Sequence, residues 1–317
     1  MHTVIRYPGS KARLADWIIG QFPEHRSYLE PFLGSGAVLF QKPRSPIETV
    51  NDLDGEIINL FECIRRDPER LAWEIYNTPY AREVYEATDE PVDPFSRATK
   101  LCIRANQGYG FRTAGLPAGW KRDVCGREKA YTVRDWCRLP DTIMQAAERL
   151  RGVQIECMDA VMLIQQYNHP NVLIYCDPPY VLGSRTGRQY KHEMSDADHE
   201  RLLQVLLQHK GPVLISGYDN EIYRDMLQGW RLEMKMEYCR ANKRRTECLW
   251  MNFEPEGRMT PLTWEERMQL SGNRDIKGGE TESKGYYGRR LVDNTGAGKV
   301  KTPWNPKGSK AFLVDFW

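Results

Sequence analysis

The residues best suited to chemistry lie in the stretch VLIYCDPPYVLG, at residues 172–183. An apolar, strand-forming run stops there at Asp177, Pro178, Pro179 and Tyr180. Because two consecutive prolines remove two backbone donors, a buried strand must end at this point. The prolines also stiffen a segment that carries a carboxylate and an aromatic ring. The pattern indicates either a rigid loop with a helix-capping acid or a site that holds a flat ligand.

Three further predicted strands also end in residues suited to binding. The first is followed by LGSG, where Gly34 and Gly36 precede a predicted helix and would let the backbone approach a ligand closely. The second ends at Asp52 and Asp54, and the third at Asp159. Each acid could simply cap a helix. Ligands of open α/β sheets bind at the carboxyl ends of strands, however, so four such ends favour one shared site.

The elements that would position these residues alternate between strand and helix patterns, which predicts a mostly parallel sheet with helices on its faces. A helix is predicted at GEIINLFECIRR, capped by Asp54, and another begins at Ser195 with Asp198 as its capping partner. WRLEMKMEYC and ECLWMNF predict a closing antiparallel pair. The five earlier strands are predicted in SYLEPF, PIETVNDLD, GVQIECMD, NVLIYCDPPY and GPVLISGYD.

Composition limits the classes of protein that fit. The chain of 317 residues is long enough for one large α/β domain with a second, inserted part. A net charge of only +2 means that any nucleic-acid binding must come from local basic patches. The chain has neither an apolar run of membrane-spanning length nor a signal-peptide pattern, which predicts a cytoplasmic protein. Scattered cysteines and histidines predict no disulfide frame and no metal site.

Composition also divides the chain into four parts. Residues 1–66 and 151–254 carry the strand–helix alternation. Residues 67–150 interrupt it with a segment rich in glycine, aromatic and basic residues, which predicts an inserted domain. Residues 255–317 are rich in glycine and lysine, and no role is predicted for them.

In this order, YPGSK, EPFLGSG, NDLD and DPPY resemble the DNA adenine-N6 methyltransferases of the Dam-like (D12) class, over residues 4–254. The resemblance implies an α/β, Rossmann-like S-adenosylmethionine-dependent methyltransferase sheet with an inserted, mainly helical target-recognition domain at residues 67–150. It implies S-adenosylmethionine as cofactor, S-adenosylhomocysteine as product, and no metal. The family's N-x-P-F-G-x-Y-type block is replaced here by LPAGWKRDVCGREKAY, so a GATC target is not implied.

The resemblance also implies roles for individual residues. Asp52 would hold the ribose hydroxyls of the cofactor, and Lys11 would close over its carboxylate end. Asp177 and the Pro178 carbonyl would accept the two amino hydrogens of a flipped adenine, on which Tyr180 would stack. The catalytic residues would be Asp177, Pro178, Pro179 and Tyr180. The cofactor-binding residues would be Tyr7, Gly9, Lys11, Phe32, Gly34, Ser35, Gly36, Asp52, Leu53, Asp159 and Asp177.

Basic, polar and aromatic residues of the insertion and the last hairpin predict contacts with double-stranded DNA, although each could instead be a solvated surface residue. They are Asn106, Tyr109, Arg112, Lys121, Arg122, Arg127, Lys129, Arg134, Lys243 and Arg244. A monomer or weak dimer of bacterial or phage origin is expected. The recognition sequence and a cognate restriction enzyme are left open.

Three other functions compete with this interpretation. Cytosine-N4 methylation uses the same amine chemistry, but Asp177 in place of a serine before PPY favours adenine. A non-catalytic DNA-binding protein of the same fold would have no need of Asp177, Tyr180 and Gly34. An NAD-dependent oxidoreductase would explain the glycine turn and Asp52, but it leaves the DPPY sequence without a role.

Overall fold

Seven strands form one mixed sheet in the described part of the chain, in the order β3-β2-β1-β4-β5-β7-β6. The first five are mutually parallel, and β7 runs antiparallel to both β5 and β6. All five predicted strands and the antiparallel pair are therefore confirmed. The strands are β1 Ser27–Glu30, β2 Ile47–Asn51, β3 Val153–Glu156, β4 Val172–Cys176, β5 Val213–Gly217, β6 Arg231–Tyr238 and β7 Arg244–Met251. The structure, a computed structural model, describes residues 2–113, 118–122, 124, 131–184, 187, 189–238 and 244–254.

The strand order reverses direction beside β1. This strand pairs with β2 on one side and with β4 on the other, although β4 comes more than a hundred residues later in the chain. Connections to the two neighbours leave the sheet in opposite directions, which opens a crevice at the carboxyl ends of β1 and β4. The glycine turn and the DPPY sequence follow these two strands, so the topology brings them together.

Helices cover both faces of the sheet. Alternate residues of β4 divide between two apolar clusters: Leu173 and Tyr175 pack on one face, and Ile174 and Cys176 on the other. The helices are α1 Ala15–Ile19, α2 Gly55–Arg66, α3 Pro68–Asn77, α4 Arg82–Glu86, α5 Pro94–Gln107, α6 Tyr131–Leu150, α7 Ala160–Gln166, α8 Asp196–Leu207 and α9 Glu221–Met226. No described helix is long and apolar enough to cross a membrane.

The predicted caps of α2 and α8 are confirmed. The Asp54 carboxylate accepts a hydrogen bond from the Glu56 backbone N–H, and Ser195 forms a full capping box with Asp198. The helix predicted directly after Gly36 is wrong, because residues 37–41 form successive turns. This stretch ends at Pro43 before a regular helix can propagate.

The described part of the insertion is helical, as predicted, and consists of α3 to α6. Its buried residues Leu71, Cys102 and Ile143 belong to the same apolar cluster as Tyr28 and Tyr175 of the sheet. The insertion therefore packs on the core of the sheet, and residues 1–256 form one compact unit. The domain boundaries at 67 and 150 stay a prediction. Residues 255–317 lie outside the described residues.

Candidate active site

A cleft lies at the carboxyl ends of β1, β2 and β4. Ten of the eleven predicted cofactor residues line it: Tyr7, Gly9, Lys11, Phe32, Gly34, Ser35, Asp52, Leu53, Asp159 and Asp177. Pro179 of the catalytic sequence lines it as well. Gly36, Pro178 and Tyr180 are not among its described lining residues. The structure thus brings the four predicted strand ends to one place, while the role of each residue stays a prediction.

The glycine turn after β1 shapes one wall of the cleft. Gly34 has a φ of +49°, and a Cβ atom there would lie 2.9 Å from the Tyr7 ring. Glycine is required at this position because both the conformation and the close approach exclude a side chain. The Gly34 N–H donates a 2.8 Å hydrogen bond to Asp52 Oδ2, which ties the turn to the end of β2.

Asp52 is held by main-chain donors. Its Oδ1 accepts a 2.9 Å hydrogen bond from the Asp54 N–H, and the side chain is nearly buried. Burial raises the pKa of Asp52 from 3.8 to about 6, although the backbone N–H groups of Asp54 and Gly34 lower it. Each carboxylate oxygen keeps a second lone pair, so Asp52 retains acceptor capacity on the cleft side.

Asp177 is held by side chains. Lys11 Nζ lies 2.8 Å from Asp177 Oδ1, and the Ser216 hydroxyl donates a 2.8 Å hydrogen bond to the same oxygen. Both contacts fall on Oδ1, and Oδ2 has no such partner among the described residues. The carboxylate is therefore fixed at the edge of the cleft with one oxygen still able to accept hydrogen bonds.

Lys11 lines the cleft, and its expected place at the carboxylate end of the cofactor stays a prediction. Its ammonium lies between two protein carboxylates, 2.8 Å from Asp177 and 3.6 Å from Glu247, and it donates to the Gly9 carbonyl. Burial alone lowers the pKa of Lys11, but the two carboxylates outweigh burial and raise it above its usual value. Lys11 is thus a charged partner of Asp177.

Tyr180 is held through its hydroxyl and its ring. The hydroxyl donates a hydrogen bond to the Glu247 carboxylate. The Tyr180 ring lies edge-on to Tyr218 at a centroid distance of 4.7 Å, and Lys11 Nζ lies 4.8 Å from its centroid. Both ends of the catalytic sequence therefore contact one cluster of buried charges.

Three polar residues of this site escaped the sequence analysis. Glu247 and Ser216 are buried polar residues inside the apolar strands β7 and β5, and this contrast was a signal that could have found them. Glu30 ends β1, is 2% exposed and accepts a 2.8 Å hydrogen bond from the Tyr28 hydroxyl. Burial raises the pKa of Glu30 to about 8, so it is mostly neutral at pH 7.

Residues 190–194, which follow the DPPY sequence in the chain, also line the cleft. The Tyr190 hydroxyl donates to the Pro8 carbonyl at 3.2 Å, and the rings of Tyr190 and Tyr7 lie 5.9 Å apart. The Lys191 N–H donates to the Thr113 hydroxyl at 2.9 Å. This segment joins the N-terminal turn to the insertion, a link that no local sequence pattern indicates.

The structure is consistent with both roles that the sequence left open for Asp159, and it confirms the helix cap. Asp159 caps α7 through a 3.0 Å hydrogen bond from the Met162 N–H, and it also lines the cleft. Arg201 donates a 2.6 Å hydrogen bond to the same Oδ1 atom. The predicted contact of Asp159 with the cofactor stays a prediction.

The predicted DNA contacts divide into three groups. Arg112, Arg122, Arg134 and Tyr109 are exposed. The other two described side chains are less accessible: Asn106 is partly buried and its amide donates to the carbonyls of Val4 and Cys102, and Lys121 is only 7% exposed. Arg127, Lys129, Lys243 and the side chain of Arg244 lie outside the described residues.

Comparison with known proteins decides the family. Residues 7–102 and 126–242 match the model of the D12 class N6 adenine-specific DNA methyltransferases. The chain belongs to this family. The predicted enzyme class, an S-adenosylmethionine-dependent DNA methyltransferase specific for adenine N6, is thereby confirmed.

Individual relatives of this D12-class methyltransferase are distant but extend over most of the chain. A DNA adenine methylase from Serratia marcescens is 26% identical over 71% of this chain and 86% of its own length. The type II methyltransferase M.MjaIII from Methanocaldococcus jannaschii is 23% identical over 78% and 98%, respectively. The DNA adenine methylase of Escherichia coli K12 is 23% identical over 73% of this chain and 85% of its own.

Proposed function

We propose that this methyltransferase transfers a methyl group from S-adenosylmethionine to the N6 amino group of an adenine that is flipped out of double-stranded DNA. The observation that carries the proposal is the carboxylate of Asp177. It stands at the end of β4 in the same cleft as Asp52 and is fixed through Oδ1 alone.

The residues of the cleft fit the chemistry of S-adenosylmethionine. Its acids outnumber its bases, which suits a ligand with a sulfonium and an ammonium group. Besides Glu30, which is mostly neutral, the acids are Asp52, Asp54, Asp159, Asp177, Glu193 and Asp198, and the bases are Lys11, Lys191 and Arg201. Asp52 would accept the ribose hydroxyls, while Phe32 and the half-exposed Leu53 offer apolar surface to a flat ring. The bound cofactor supplies an electrophilic methyl group on its sulfonium.

The chain's own contribution is to orient a poor nucleophile. The lone pair of the adenine amino nitrogen is delocalised into the ring. Asp177 Oδ2 accepts one amino hydrogen and the Pro178 carbonyl accepts the other, which favours a pyramidal nitrogen whose lone pair faces the cofactor. Fixed acceptors provide much of the rate by positioning. The rigid Pro178–Pro179 pair keeps the carbonyl in place.

The exposed arginines of the insertion are the proposed contacts to DNA. Arg112, Arg122 and Arg134 would contact phosphates, and Tyr109, which is 70% exposed, would approach the bases. The target adenine is buried in the duplex and must leave the base stack to reach Asp177. The expected cytoplasmic location, oligomeric state and restriction partner stay predictions.

The test is to incubate the purified protein with unmethylated phage DNA and labelled S-adenosylmethionine, followed by nucleoside mass spectrometry and modification-sensitive sequencing. N6-methyladenine in a short motif is the expected product. Label in N4-methylcytosine would correct the base. The absence of any labelled nucleoside, with the cofactor still bound, would contradict the proposed reaction.

A further inference from the structure

We propose that Glu247 is a positioning residue that holds both ends of the DPPY sequence, Asp177 through Lys11 and Tyr180 directly. The inference rests on the proposed function and goes beyond it by naming the carboxylate that holds the DPPY sequence in place. Glu247 itself does not contact the substrate.

The sheet places Glu247 at this position. β7 is inserted between β5 and β6, and in its register Glu247 faces Lys235 of β6 while Leu249 faces Ser216 of β5. The neighbouring strands β5 and β7 thus place Ser216 and Glu247 beside the DPPY sequence at the end of β4. Glu247 is 4% exposed, so its contacts are made almost entirely with protein groups.

The contacts of Glu247 converge on the catalytic sequence. The Tyr180 hydroxyl donates a hydrogen bond to Glu247 Oε1, and Lys11 Nζ lies 3.6 Å from the same oxygen. A hydrogen bond to a charged acceptor is stronger than one to a neutral acceptor, so this contact restrains the Tyr180 ring. Tyr180 and Asp177 are separated only by two prolines, and both are now tied to one carboxylate.

The charges explain why a carboxylate is needed there. One ammonium, that of Lys11, lies between two carboxylates, and a buried carboxylate is tolerated only with such a partner. While Glu247 attracts Lys11, Asp177 carries only part of the ion pair and remains a good hydrogen-bond acceptor. A neutral side chain at 247 would leave Lys11 to Asp177 alone. It would weaken Asp177 as an acceptor of the adenine amino hydrogen, and Tyr180 would lose the charged acceptor of its hydrogen bond.

The competing explanation is that Glu247 only stabilises the fold. Glu247→Gln distinguishes the positioning role from a purely stabilising role. The substitution keeps the size of the side chain and an acceptor for Tyr180 but removes the charge. The matched control is Glu233→Gln on β6, which removes another carboxylate with an ion pair, to Arg231, from a residue that does not line the cleft. Thermal midpoints report on the fold, and kcat and KM report on the site.

For Glu247→Gln we expect kcat to fall about 10- to 100-fold, the size of effect that misplaced catalytic groups produce. The KM for DNA and the Kd for S-adenosylmethionine should stay within about twofold, since neither ligand touches Glu247. Glu233→Gln should keep the kcat of the wild type. An unchanged kcat for Glu247→Gln, or a raised KM with intact kcat, would overturn the proposal.

Tyr180→Phe provides a second test that removes a single hydroxyl. If Glu247 acts partly through Tyr180, the double variant should have a kcat close to that of Glu247→Gln alone, because both changes remove the same charge-assisted hydrogen bond between Tyr180 and residue 247. Multiplied losses would overturn this link. The wild type, assayed in parallel, keeps the two proposals apart: no N6-methyladenine from the wild type contradicts the proposed function, whereas an active wild type with equally active Glu247→Gln contradicts only the role of Glu247.

Discussion

Asp52 and Asp177 lie in the same cleft but are held in opposite ways. Asp52 is fixed by two backbone N–H groups from its own neighbourhood of the sheet, those of Gly34 and Asp54. Asp177 is fixed by the side chains of Lys11 and Ser216, which come from the N-terminal turn and from β5. The proposed cofactor side of the cleft is therefore held by main-chain hydrogen bonds, whereas the proposed catalytic side is held by charged and polar side chains from distant segments.

This difference predicts different sensitivities to substitution. Main-chain donors remain when a nearby side chain is replaced, so changes on the Asp52 side should mainly alter the affinity for the cofactor. Each member of the Asp177 network, in contrast, is one side chain whose removal leaves a buried charge without its partner. Changes there should affect both stability and rate.

The largest effect is expected for Lys11→Ala. It leaves the carboxylates of Asp177 and Glu247 together without their shared ammonium, and breaking a buried pair typically costs about 3–5 kcal/mol. The free energy of unfolding, measured in urea, should fall by that amount. Lys191→Ala is the matched control, because its half-exposed side chain forms only a 3.5 Å ion pair with Asp54. Equal stability of both variants would show that Asp177 is not held as described.

Asp52→Asn should weaken cofactor binding about 10- to 100-fold, since a hydrogen bond to a charged group contributes about 1.5–3 kcal/mol. The rate at saturating cofactor should change little, because Asp52 is proposed to bind and not to react. Calorimetric titration with S-adenosylhomocysteine gives the affinity. A full loss of kcat with intact cofactor affinity would mean that Asp52 acts in methyl transfer and not in cofactor binding.

The raised pKa of Asp52 predicts a pH dependence of the same binding. Asp52 ionises near pH 6 instead of 3.8, so cofactor affinity should fall about tenfold between pH 7 and pH 5 as the carboxylate is protonated. Because the pKa is raised in the folded state, the contribution of Asp52 to stability is greatest below pH 3.8 and is lost as the pH rises through 6. Glu30, with a pKa of about 8, is mostly neutral throughout this window. The same pH slope in Asp52→Asn would refute the assignment.

The smallest effects are expected away from both carboxylates, at the exposed arginines. Replacing Arg112 and Arg122 by alanine should weaken DNA binding and reduce the slope of log K against log salt by about 1 for each lost phosphate contact. Arg151→Ala is the control, since this exposed arginine precedes β3 at the opposite end of the sheet from the cleft. Fluorescence anisotropy at several salt concentrations measures both quantities. An unchanged slope in the double variant would remove this surface from the DNA interface.

The same contrast explains what the sequence could predict. Strands, caps and the glycine turn depend on neighbouring residues, so their patterns are visible in a single sequence. The position of Asp52 could be predicted for this reason. The place of Lys11 could not, because its partners Asp177 and Glu247 are more than 160 residues away and meet it only through the strand order. The helix expected after Gly36 is wrong because the stretch between Gly36 and Pro43 is too short for a regular helix to propagate.

The most direct test of the account is the single-turnover rate of methyl transfer by Asp177→Asn, on DNA that carries the motif methylated by the wild type. Asparagine keeps the shape of the side chain but has an NH2 group in place of one carboxylate oxygen, Oδ1 or Oδ2. This group donates hydrogen bonds instead of accepting them. We expect the rate, measured at saturating cofactor, to fall at least about 100-fold, the usual effect of removing one fixed hydrogen-bonding group from a catalytic site, with the affinity for DNA unchanged. A rate close to that of the wild type would show that Asp177 does not act on the amino group, and the central claim would fail.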